Sequence, residues 1–331
     1  MHEPQLYFQT GIQVSRSSDR VLVSNARHTR PVNVPHSLYE ELVAKIDVGA
    51  TYDDIERLCV GQPEIQLRLF DADILSYDPN GRSYPYRYPK DLCHKRAYQF
   101  RRLFDRYRFF TMVSPALAYA AYDGVAYLAK NRIPGDVVLT GVWRGGLAAL
   151  LASHLRECND LSRKIRLFDT FDWTWPAPSQ HDGTMYGRGP EETRAFVARQ
   201  AEAATDTDHG TTVAVSRTQV ARLMASTGYP MEQVVFYEGY TQDTLQSGTD
   251  DSFALAYLDT DFYESTKHEL GIVYPALVTN GLLLIDDYPT ELGAQKAVDE
   301  FFADEAFVPH MTRIDYQGRL IVKPSTQRSS Q

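Results

Sequence analysis

Four aspartates stand directly after two strongly apolar runs of this 331-residue chain. Asp259 and Asp261 close the run LAYLDTD, and Asp286 and Asp287 close the run LLLIDD. Carboxylates that lie close together repel and raise one another's pKa unless something compensates their charge. A divalent cation is the simplest compensation, and a set of carboxylate oxygens suits Mg²⁺, Mn²⁺ or Ca²⁺ rather than zinc. The alternative, carboxylates that cap the helices after them, explains one pair more easily than both.

A second candidate is the glycine-rich turn GVWRGG, residues 141–146, between the apolar run DVVLT and the helix-like run LAALLASHL. Its glycines allow a tight turn and a close approach of the backbone to a ligand. The N–H groups at the start of the following helix would face the polar or anionic part of that ligand. A plain tight connection between strand and helix is the alternative.

A further acidic group, in FDTFD, follows the next apolar run. Asp169 or Asp172 would stand where doubly wound nucleotide-binding folds place the acid that holds ribose hydroxyls. Asp169 follows Gly141 by 28 residues and the full G-x-G-x-x-G is absent, whereas the dinucleotide fingerprint has an acid about 20 residues on. The pattern favours a nucleotide-like cofactor and excludes a standard nicotinamide motif.

These residues need a scaffold, and the chain after Pro115 supplies one. Helical segments alternate there with short β-rich runs, a pattern that predicts an α/β fold with a doubly wound, mostly parallel sheet. Ligands of such sheets bind at the carboxyl ends of the strands. Every candidate residue above falls at a strand end of this kind.

The N-terminal part has a different pattern. VLVSN and PVNV predict strands, SLYEELVAKID predicts a helix with Ser37 as N-cap, and Thr51 begins a second helical turn. Short helices between short strands indicate a small α+β, winged-helix-like domain. We therefore predict an accessory domain and linker over 1–90, a catalytic domain over 91–324 and a disordered tail over 325–331.

The C-terminal motifs resemble a known family. IPGDVVLTGVWRGG, FDTFDWTWPAP, VVFYEGYTQDTL, YLDTDFYESTKHELGIVYPAL and LLLIDDYPTELGAQKAVDEFF are similar to segments of the macrocin O-methyltransferase family. The resemblance runs from about Arg108 to Lys323. It implies the class I methyltransferase fold, S-adenosylmethionine as cofactor, Mg²⁺ dependence, and methylation of a sugar hydroxyl on an antibiotic-type metabolite.

Residue roles follow from the same resemblance. It implies metal binding by Asp259, Asp286 and Asp287, and proton removal by Asp261, with His268 as the alternative base and the roles of Asp259 and Asp261 open to exchange. It implies cofactor contacts for Thr140, Gly141, Val142, Trp143, Gly145, Gly146, Asp169, Thr170, Phe171, Gly239 and Tyr240.

The chain departs from the family at two positions. Leu139 stands where the family has Glu, an acid that helps to hold the cofactor, and Trp173 stands where the family commonly has Gly. A binding protein with impaired catalysis is therefore one alternative. The long, aromatic segment DWTWPAPSQHDGTMYGRG suits a lid over the substrate, with Trp173 and Trp175 as stacking surfaces.

Composition limits the partners. The 34 Lys and Arg against 43 Asp and Glu give a net charge of −9, which argues against a basic nucleic-acid surface. No apolar run approaches the roughly 20 residues of a membrane span, and no signal peptide is evident. We expect a cytoplasmic homo-oligomer that acts on a small-molecule acceptor. The alternative is a peptide-tailoring methyltransferase, because the N-terminal part weakly resembles winged-helix domains that bind leader peptides.

Overall fold

The computed structural model describes residues 6–8, 12–25, 31–62, 65–66, 68–69, 74–76, 97–205, 215–248, 251–305 and 308–325. The chain divides into two compact units, Met1–Phe109 and Phe110–Gln331. The domain boundary predicted between residues 90 and 91 lies outside the described residues, as do residues 326–331 of the predicted tail.

The first unit is a small α+β fold. Its elements are β1 (Tyr7–Phe8), β2 (Ile12–Arg16), β3 (Arg20–Asn25), β4 (Val32–Pro35), α1 (His36–Asp47), α2 (Tyr52–Leu58), β5 (Leu75–Ser76) and α3 (Tyr98–Tyr107). β2, β3 and β4 form an antiparallel sheet in that order, and β1 pairs with β5. The alternating valines of β3 and β4 are buried, as the period of two along a strand requires.

Of the two helix starts predicted in this unit, one agrees with the structure. Thr51 caps α2, as predicted, and the structure shows that it does so in a capping box with Asp54. The prediction for Ser37 was wrong, because α1 begins at His36 after Pro35 and has no side-chain cap. Pro35 takes the N-cap position, where its ring fixes φ, and Ser37 falls inside the first helical turn.

The second unit consists of α4 (Pro115–Asn131), β6 (Asp136–Thr140), α5 (Gly146–Glu157), β7 (Ile165–Asp169), α6 (Pro190–Thr205), α7 (Arg217–Ser226), β8 (Val234–Glu238), α8 (Thr241–Thr244), β9 (Phe253–Leu258), α9 (Tyr263–Ala276), β10 (Leu277–Ile285), α10 (Leu292–Ala303), β11 (Met311–Arg313) and β12 (Arg319–Val322). One sheet has the order β11-β12-β10-β9-β6-β7-β8. The strands from β10 to β8 are parallel, and β12 and β11 extend the sheet antiparallel.

This strand order determines where a ligand can bind. β6 lies between β7, which follows it in the chain, and β9, so the order of the strands reverses beside β6. In open α/β sheets the crevice at such a reversal, at the carboxyl ends of the strands, is the ligand site. All six residues of β9 are buried, as expected for a strand covered by helices on both faces. The predicted α/β fold is confirmed.

No helix in the described part of the chain is long and apolar enough to cross a membrane.

Candidate active site

The turn after β6 needs glycine for two separate reasons. Gly141 has φ +74°, and a Cβ there would overlap the carbonyl oxygen of Asp259. Gly145 has φ +82°, and a Cβ there would lie 2.7 Å from Val220 Cγ1. Both positions combine a left-handed backbone with close packing, which only glycine tolerates without strain. The turn after β6 therefore lies directly against the loop after β9.

Asp169 fixes the shape of this turn. Its Oδ2 accepts hydrogen bonds from the backbone N–H groups of Val142 (2.7 Å) and Trp143 (2.9 Å). Its Oδ1 accepts one from Phe171 N–H at 2.7 Å. Burial raises the pKa of Asp169, and these three amide donors oppose that rise. Both carboxylate oxygens are thus used by backbone amides, a contact pattern that holds two neighbouring strand ends together.

The other residues predicted to contact the cofactor come together around Asp169. Gly239 has φ +136° and donates its N–H to the Asp169 carbonyl at 2.9 Å. The Tyr240 hydroxyl donates to the carbonyl of Trp175 at 3.3 Å. The Thr170 hydroxyl donates to the carbonyl of Thr174 at 3.1 Å. The loops after β6, β7 and β8 consequently form one continuous surface with the start of the predicted lid.

Three aspartates meet at the ends of β9 and β10. Asp259, Asp261 and Asp287 each offer a carboxylate oxygen, and these atoms lie within 4.8 Å of one another. We call these three residues the carboxylate cluster. Asp261 and Asp287 have φ of +65° and +54°, conformations that non-glycine residues hold only when the surroundings impose them. Among the described residues, the cluster includes neither Asp286 nor His268.

Burial and mutual repulsion perturb the whole cluster. Burial, together with the charges of Asp286 and Asp287, raises the pKa of Asp259 well above its ordinary range. Burial and the charge of Glu291 raise the pKa of Asp261 to about 7. Burial and the charge of Asp261 raise the pKa of Asp287 to about 8. The cluster is electrostatically unfavourable when fully ionised and gains from a positive charge.

Asp286 lies next to the cluster but has partners of its own. Its Oδ2 accepts from the Tyr257 hydroxyl at 2.5 Å, and its Oδ1 accepts from Gln317 Nε2 at 2.7 Å and from Asp287 N–H at 2.9 Å. Burial and the charge of Asp287 raise its pKa to about 7. Sequence reasoning missed both Tyr257, which looked like one more apolar strand residue, and Gln317, for which the sequence offers no signal.

The donor set fits a hard divalent cation. Two oxygens on opposite sides of one ion are separated by about 4.2 Å for Mg²⁺ and about 4.8 Å for Ca²⁺, twice the metal–oxygen distance. The oxygens of the cluster lie within 4.8 Å of one another, which meets the limit for Ca²⁺ and is close to that for Mg²⁺. Carboxylates that bind metals are usually held by outer hydrogen bonds. Tyr257 and Gln317 make such bonds to Asp286.

The His268 side chain contacts the backbone of Leu245 and not the carboxylate cluster. Its Nε2 lies 2.9 Å from the carbonyl oxygen of Leu245. A carbonyl only accepts, so Nε2 carries the proton in this contact. The hydrogen bond ties α9 to the residue after α8. The structure therefore gives His268 a packing contact and does not bring it into the carboxylate cluster.

Glu269, which sequence reasoning missed, is fully buried beneath the same strand ends. Its carboxylate accepts from the Thr140 hydroxyl at 2.9 Å and from the Thr260 hydroxyl at 3.0 Å, and Thr241 is a third side-chain partner. Burial raises its pKa to about 7, against the effect of these donors. Its position on α9 resembles an ordinary helix charge, so only the fold reveals its burial.

Aromatic rings line the approach to the strand ends. Ring centroids are 6.4 Å apart for Trp143 and Trp173, 5.3 Å for Trp173 and Trp175, and 5.9 Å for Trp175 and Phe262. We call these four residues the aromatic cluster. Trp173 has φ +65°. Its buried Nε1 has no hydrogen-bond partner among the described residues, and a buried donor without an acceptor is unfavourable.

Residues 182–185 of the predicted lid are fastened to the protein. Asp182 is buried, and its Oδ1 accepts from the N–H of Tyr263, the first residue of α9, at 2.7 Å. The N–H of Leu292 donates to the Gly183 carbonyl at 2.8 Å, and that of Met185 to the Thr290 carbonyl at 3.0 Å. Residues 182–185 thus form a fixed wall beside the carboxylate cluster.

Fold and site together define a class of protein. A mostly parallel sheet with a glycine turn after β6, acids after β7, β9 and β10, and a crevice at the strand reversal is the arrangement of class I methyltransferases. Residues 108–323 match the macrocin O-methyltransferase (TylF) family, and the chain belongs to that family. Its second unit is accordingly an S-adenosylmethionine-dependent O-methyltransferase domain.

Named relatives agree with this. The chain is 31% identical over 188 residues to demethyldecarbamoylnovobiocin O-methyltransferase of Streptomyces niveus, covering 57% of this chain and 66% of that enzyme. It is 29% identical to 8-demethyl-8-(2,3-dimethoxy-alpha-L-rhamnosyl)-tetracenomycin-C 4'-O-methyltransferase of Streptomyces olivaceus, covering 59% and 68%. The solved structure of the O-methyltransferase NovP is similar with a TM-score of 0.55 at 28% identity, covering 65% of this chain and 83% of that one. The match thus leaves about a third of the curated relatives' length unaligned.

Proposed function

We propose that this protein transfers the methyl group of S-adenosylmethionine to a hydroxyl of a glycosylated natural product, with Mg²⁺ bound at the strand ends. The observation that carries this proposal is the meeting of Asp259, Asp261 and Asp287 within 4.8 Å, beside a glycine turn that touches Asp259. Three carboxylates so close together suit a hard cation. A glycine turn at a helix start suits a cofactor with a charged end.

The cofactor would bind across the loops after β6, β7 and β8. The turn 141–146 would hold its methionine part, Asp169 and Phe171 would lie near the adenosine, and Gly239 and Tyr240 would flank the adenine. The hydrogen bonds from Asp169 to the turn support this arrangement, because they hold the turn in one conformation before the cofactor arrives. A prearranged loop loses less entropy on binding.

The cation would be held by Asp259 and Asp287, with Asp286 as the third carboxylate. When bound, it acts as a Lewis acid that lowers the pKa of an acceptor hydroxyl. Asp261 would accept the proton of that hydroxyl. Its position supports this role, because it belongs to the carboxylate cluster and directly precedes Phe262 of the aromatic cluster in the chain. The aligned loops would hold the hydroxyl opposite the methyl group, and such positioning supplies much of the rate.

The acceptor would lie against the aromatic cluster. Indole faces stack on sugar rings and on planar rings alike, and Trp173 adds an unpaired N–H that an acceptor oxygen would satisfy. The two curated relatives named above are O-methyltransferases of demethyldecarbamoylnovobiocin and of a rhamnosyl-bearing tetracenomycin. A glycosylated acceptor agrees with both observations.

A leader-guided peptide is the second candidate acceptor, because four of the five residues of β2 are exposed at the edge of the first unit's sheet. An extended peptide can add to an edge strand. We propose residues 1–90 as an accessory domain on this basis. The homo-oligomeric state is a separate prediction, which light scattering tests.

The test uses the full chain with S-adenosylmethionine and a panel of glycosides, their sugar-free counterparts and peptides, read by mass spectrometry. We expect a 14 Da gain (roughly one CH₂) on glycosides that is lost with EDTA and restored by Mg²⁺. A gain that persists in EDTA contradicts the cation site. A gain on peptides alone contradicts the glycoside acceptor.

A further inference from the structure

Glu269 is a buried acid that joins three loops of the site. Thr140 ends β6, Thr241 begins α8 shortly after β8, and Thr260 stands between two members of the carboxylate cluster. The hydroxyls of all three are partners of the Glu269 carboxylate. Thr140 and Thr260 are 120 residues apart in the chain, and one carboxylate side chain on α9 connects them.

The burial of Glu269 defines what it can do. Its exposed fraction is 0%, so it touches neither the cofactor nor the cation. Charge-assisted hydrogen bonds from hydroxyls are short and directional, and an unpaired carboxylate at this depth would be strongly unfavourable. The three threonines therefore satisfy Glu269, and Glu269 in turn fixes the rotamers of the threonines and the loops that carry them.

Two of the three loops that Glu269 joins are the loops that the proposed chemistry must align. Gly141, next to Thr140, packs on the carbonyl of Asp259, next to Thr260. β6 brings no acid of its own to this point, because position 139 is a buried leucine. Glu269 reaches the same strand end from α9 instead.

We propose that Glu269 is a positioning residue that holds the cofactor turn after β6 in register with the carboxylate loop after β9. This inference rests on the proposed function, because that function identifies the turn as the cofactor's and the loop as the cation's. It goes beyond the function by giving a role to a residue remote from both ligands. Its signature is a loss of affinity for two ligands that Glu269 does not contact.

The test compares three single variants of the full chain. Glu269→Ala removes all three hydrogen bonds. Glu269→Gln keeps the shape and one acceptor oxygen. Val273→Ala is the matched control, because Val273 is equally buried on the same helix and contributes only to the apolar core. Thermal unfolding checks that the control and Glu269→Ala are both folded and lose comparable stability.

Calorimetric titration with S-adenosylhomocysteine, and separately with MgCl₂, gives the result. We expect Glu269→Ala to weaken both affinities about tenfold or more, Glu269→Gln to restore them to within about threefold of the parent, and Val273→Ala to change neither by more than about twofold. If Glu269→Ala is unfolded, Thr260→Val, which removes a single donor, must weaken both affinities while Val273→Ala does not.

Equal effects of Glu269→Ala and Val273→Ala would overturn the inference, as would a loss of affinity for one ligand only. A parent protein that binds S-adenosylhomocysteine but no cation would refute the cation site of the proposed function. In that case the S-adenosylhomocysteine titrations still decide the role of Glu269: an affinity unchanged in Glu269→Ala overturns it.

Discussion

Buried Glu269 and the half-buried carboxylate cluster lie at the same end of the sheet, and their surroundings are opposite. Glu269 is surrounded by hydroxyl donors from three threonines. The carboxylates of Asp259, Asp261 and Asp287 face one another. A single carboxylate among hydrogen-bond donors is satisfied without a bound ligand. Several carboxylates that face each other need a positive charge to offset their repulsion. Glu269 therefore has a structural role in our account, whereas the carboxylate cluster has a role in binding and catalysis.

The largest expected difference between the two groups is in cation binding. Asp287→Asn removes a proposed ligand, so we expect cation binding to be lost and turnover to fall by about a thousandfold, equivalent to about 4 kcal/mol. Asp123→Asn, at an exposed acid on α4, should change neither. Calorimetry with MgCl₂ and a methyl-transfer assay measure this. Cation binding in Asp287→Asn equal to that of the parent would contradict the assignment.

Asp261 tests whether the cluster itself has two roles. Because we propose it as the base, Asp261→Asn should lower turnover by about a hundredfold or more while S-adenosylhomocysteine and Mg²⁺ still bind. Asp286→Asn should instead weaken Mg²⁺ binding. Titration of both variants with MgCl₂ distinguishes the roles, and loss of the cation from Asp261→Asn would make Asp261 a ligand and leave the base unassigned.

A single added methyl group tests the contact between the turn after β6 and the loop after β9. Gly141→Ala introduces a methyl group onto the Asp259 carbonyl at φ +74°, and we expect it to lower the unfolding free energy by about 3 to 5 kcal/mol. Gly187→Ala is the matched control. Its φ is +94° but a Cβ there meets nothing within 4 Å, so its cost should be about 1 kcal/mol. Urea denaturation compares them, and equal losses would show that the close contact is unimportant.

The raised pKa of Glu269 predicts that the unfolding free energy depends on pH. The pKa of Glu269 is raised from 4.5 to about 7 in the folded state, so the folded chain binds its proton more tightly than the unfolded chain does. The unfolding free energy must therefore fall as pH rises from about 4.5 to 7. Glu269→Gln removes this contribution, which is on the order of 2 to 3 kcal/mol.

Urea denaturation in EDTA at pH 5 and pH 8 measures the effect. The parent should lose more stability between these two pH values than Glu269→Gln does. The charge of Glu269 also raises the pKa of Asp259, so the difference reports Glu269 together with this coupling, and the rest of the contribution of the other acids cancels. Parallel losses in the two proteins would show that Glu269 is not the titrating group.

The smallest expected effect lies outside both groups of acids. Trp173→Phe removes the unpaired indole N–H and keeps an aromatic ring. If that N–H binds an acceptor oxygen, the acceptor KM should rise by about threefold to tenfold, while the affinity for S-adenosylhomocysteine stays unchanged. Steady-state kinetics with the best glycoside of the panel checks this. A weakened cofactor with an unchanged acceptor KM would place Trp173 on the cofactor side.

The features that the sequence predicted correctly are those with a local signal. Apolar periodicity revealed the alternating strands and helices, and short-range spacing revealed the glycine turn and the paired aspartates, because each signal lies within a few neighbouring residues. Thr51 was predicted correctly as the start of a helical turn, whereas Ser37 was wrongly predicted as an N-cap, because Pro35 takes that position. Local chemistry was therefore predicted best where the chain is locally regular.

The structure was needed for contacts between residues distant in sequence. Glu269 resembles an ordinary helix charge in the sequence, and only the fold brings to it the threonines at or shortly after the ends of three strands. Gln317 reaches Asp286 from a turn 31 residues later. The grouping of Asp261 with Asp259 and Asp287, and the separate partners of Asp286, depend on backbone angles that no spacing rule specifies.

The most direct test of the account is a titration of the metal-free protein with Mn²⁺ in the presence of S-adenosylhomocysteine, followed by electron paramagnetic resonance. We predict about one bound ion per chain in the parent and in Asp123→Asn, and none in Asp287→Asn. A parent protein that binds no ion, or an Asp287→Asn protein that binds as many ions as the parent, would contradict the central claim that these carboxylates hold a catalytic cation.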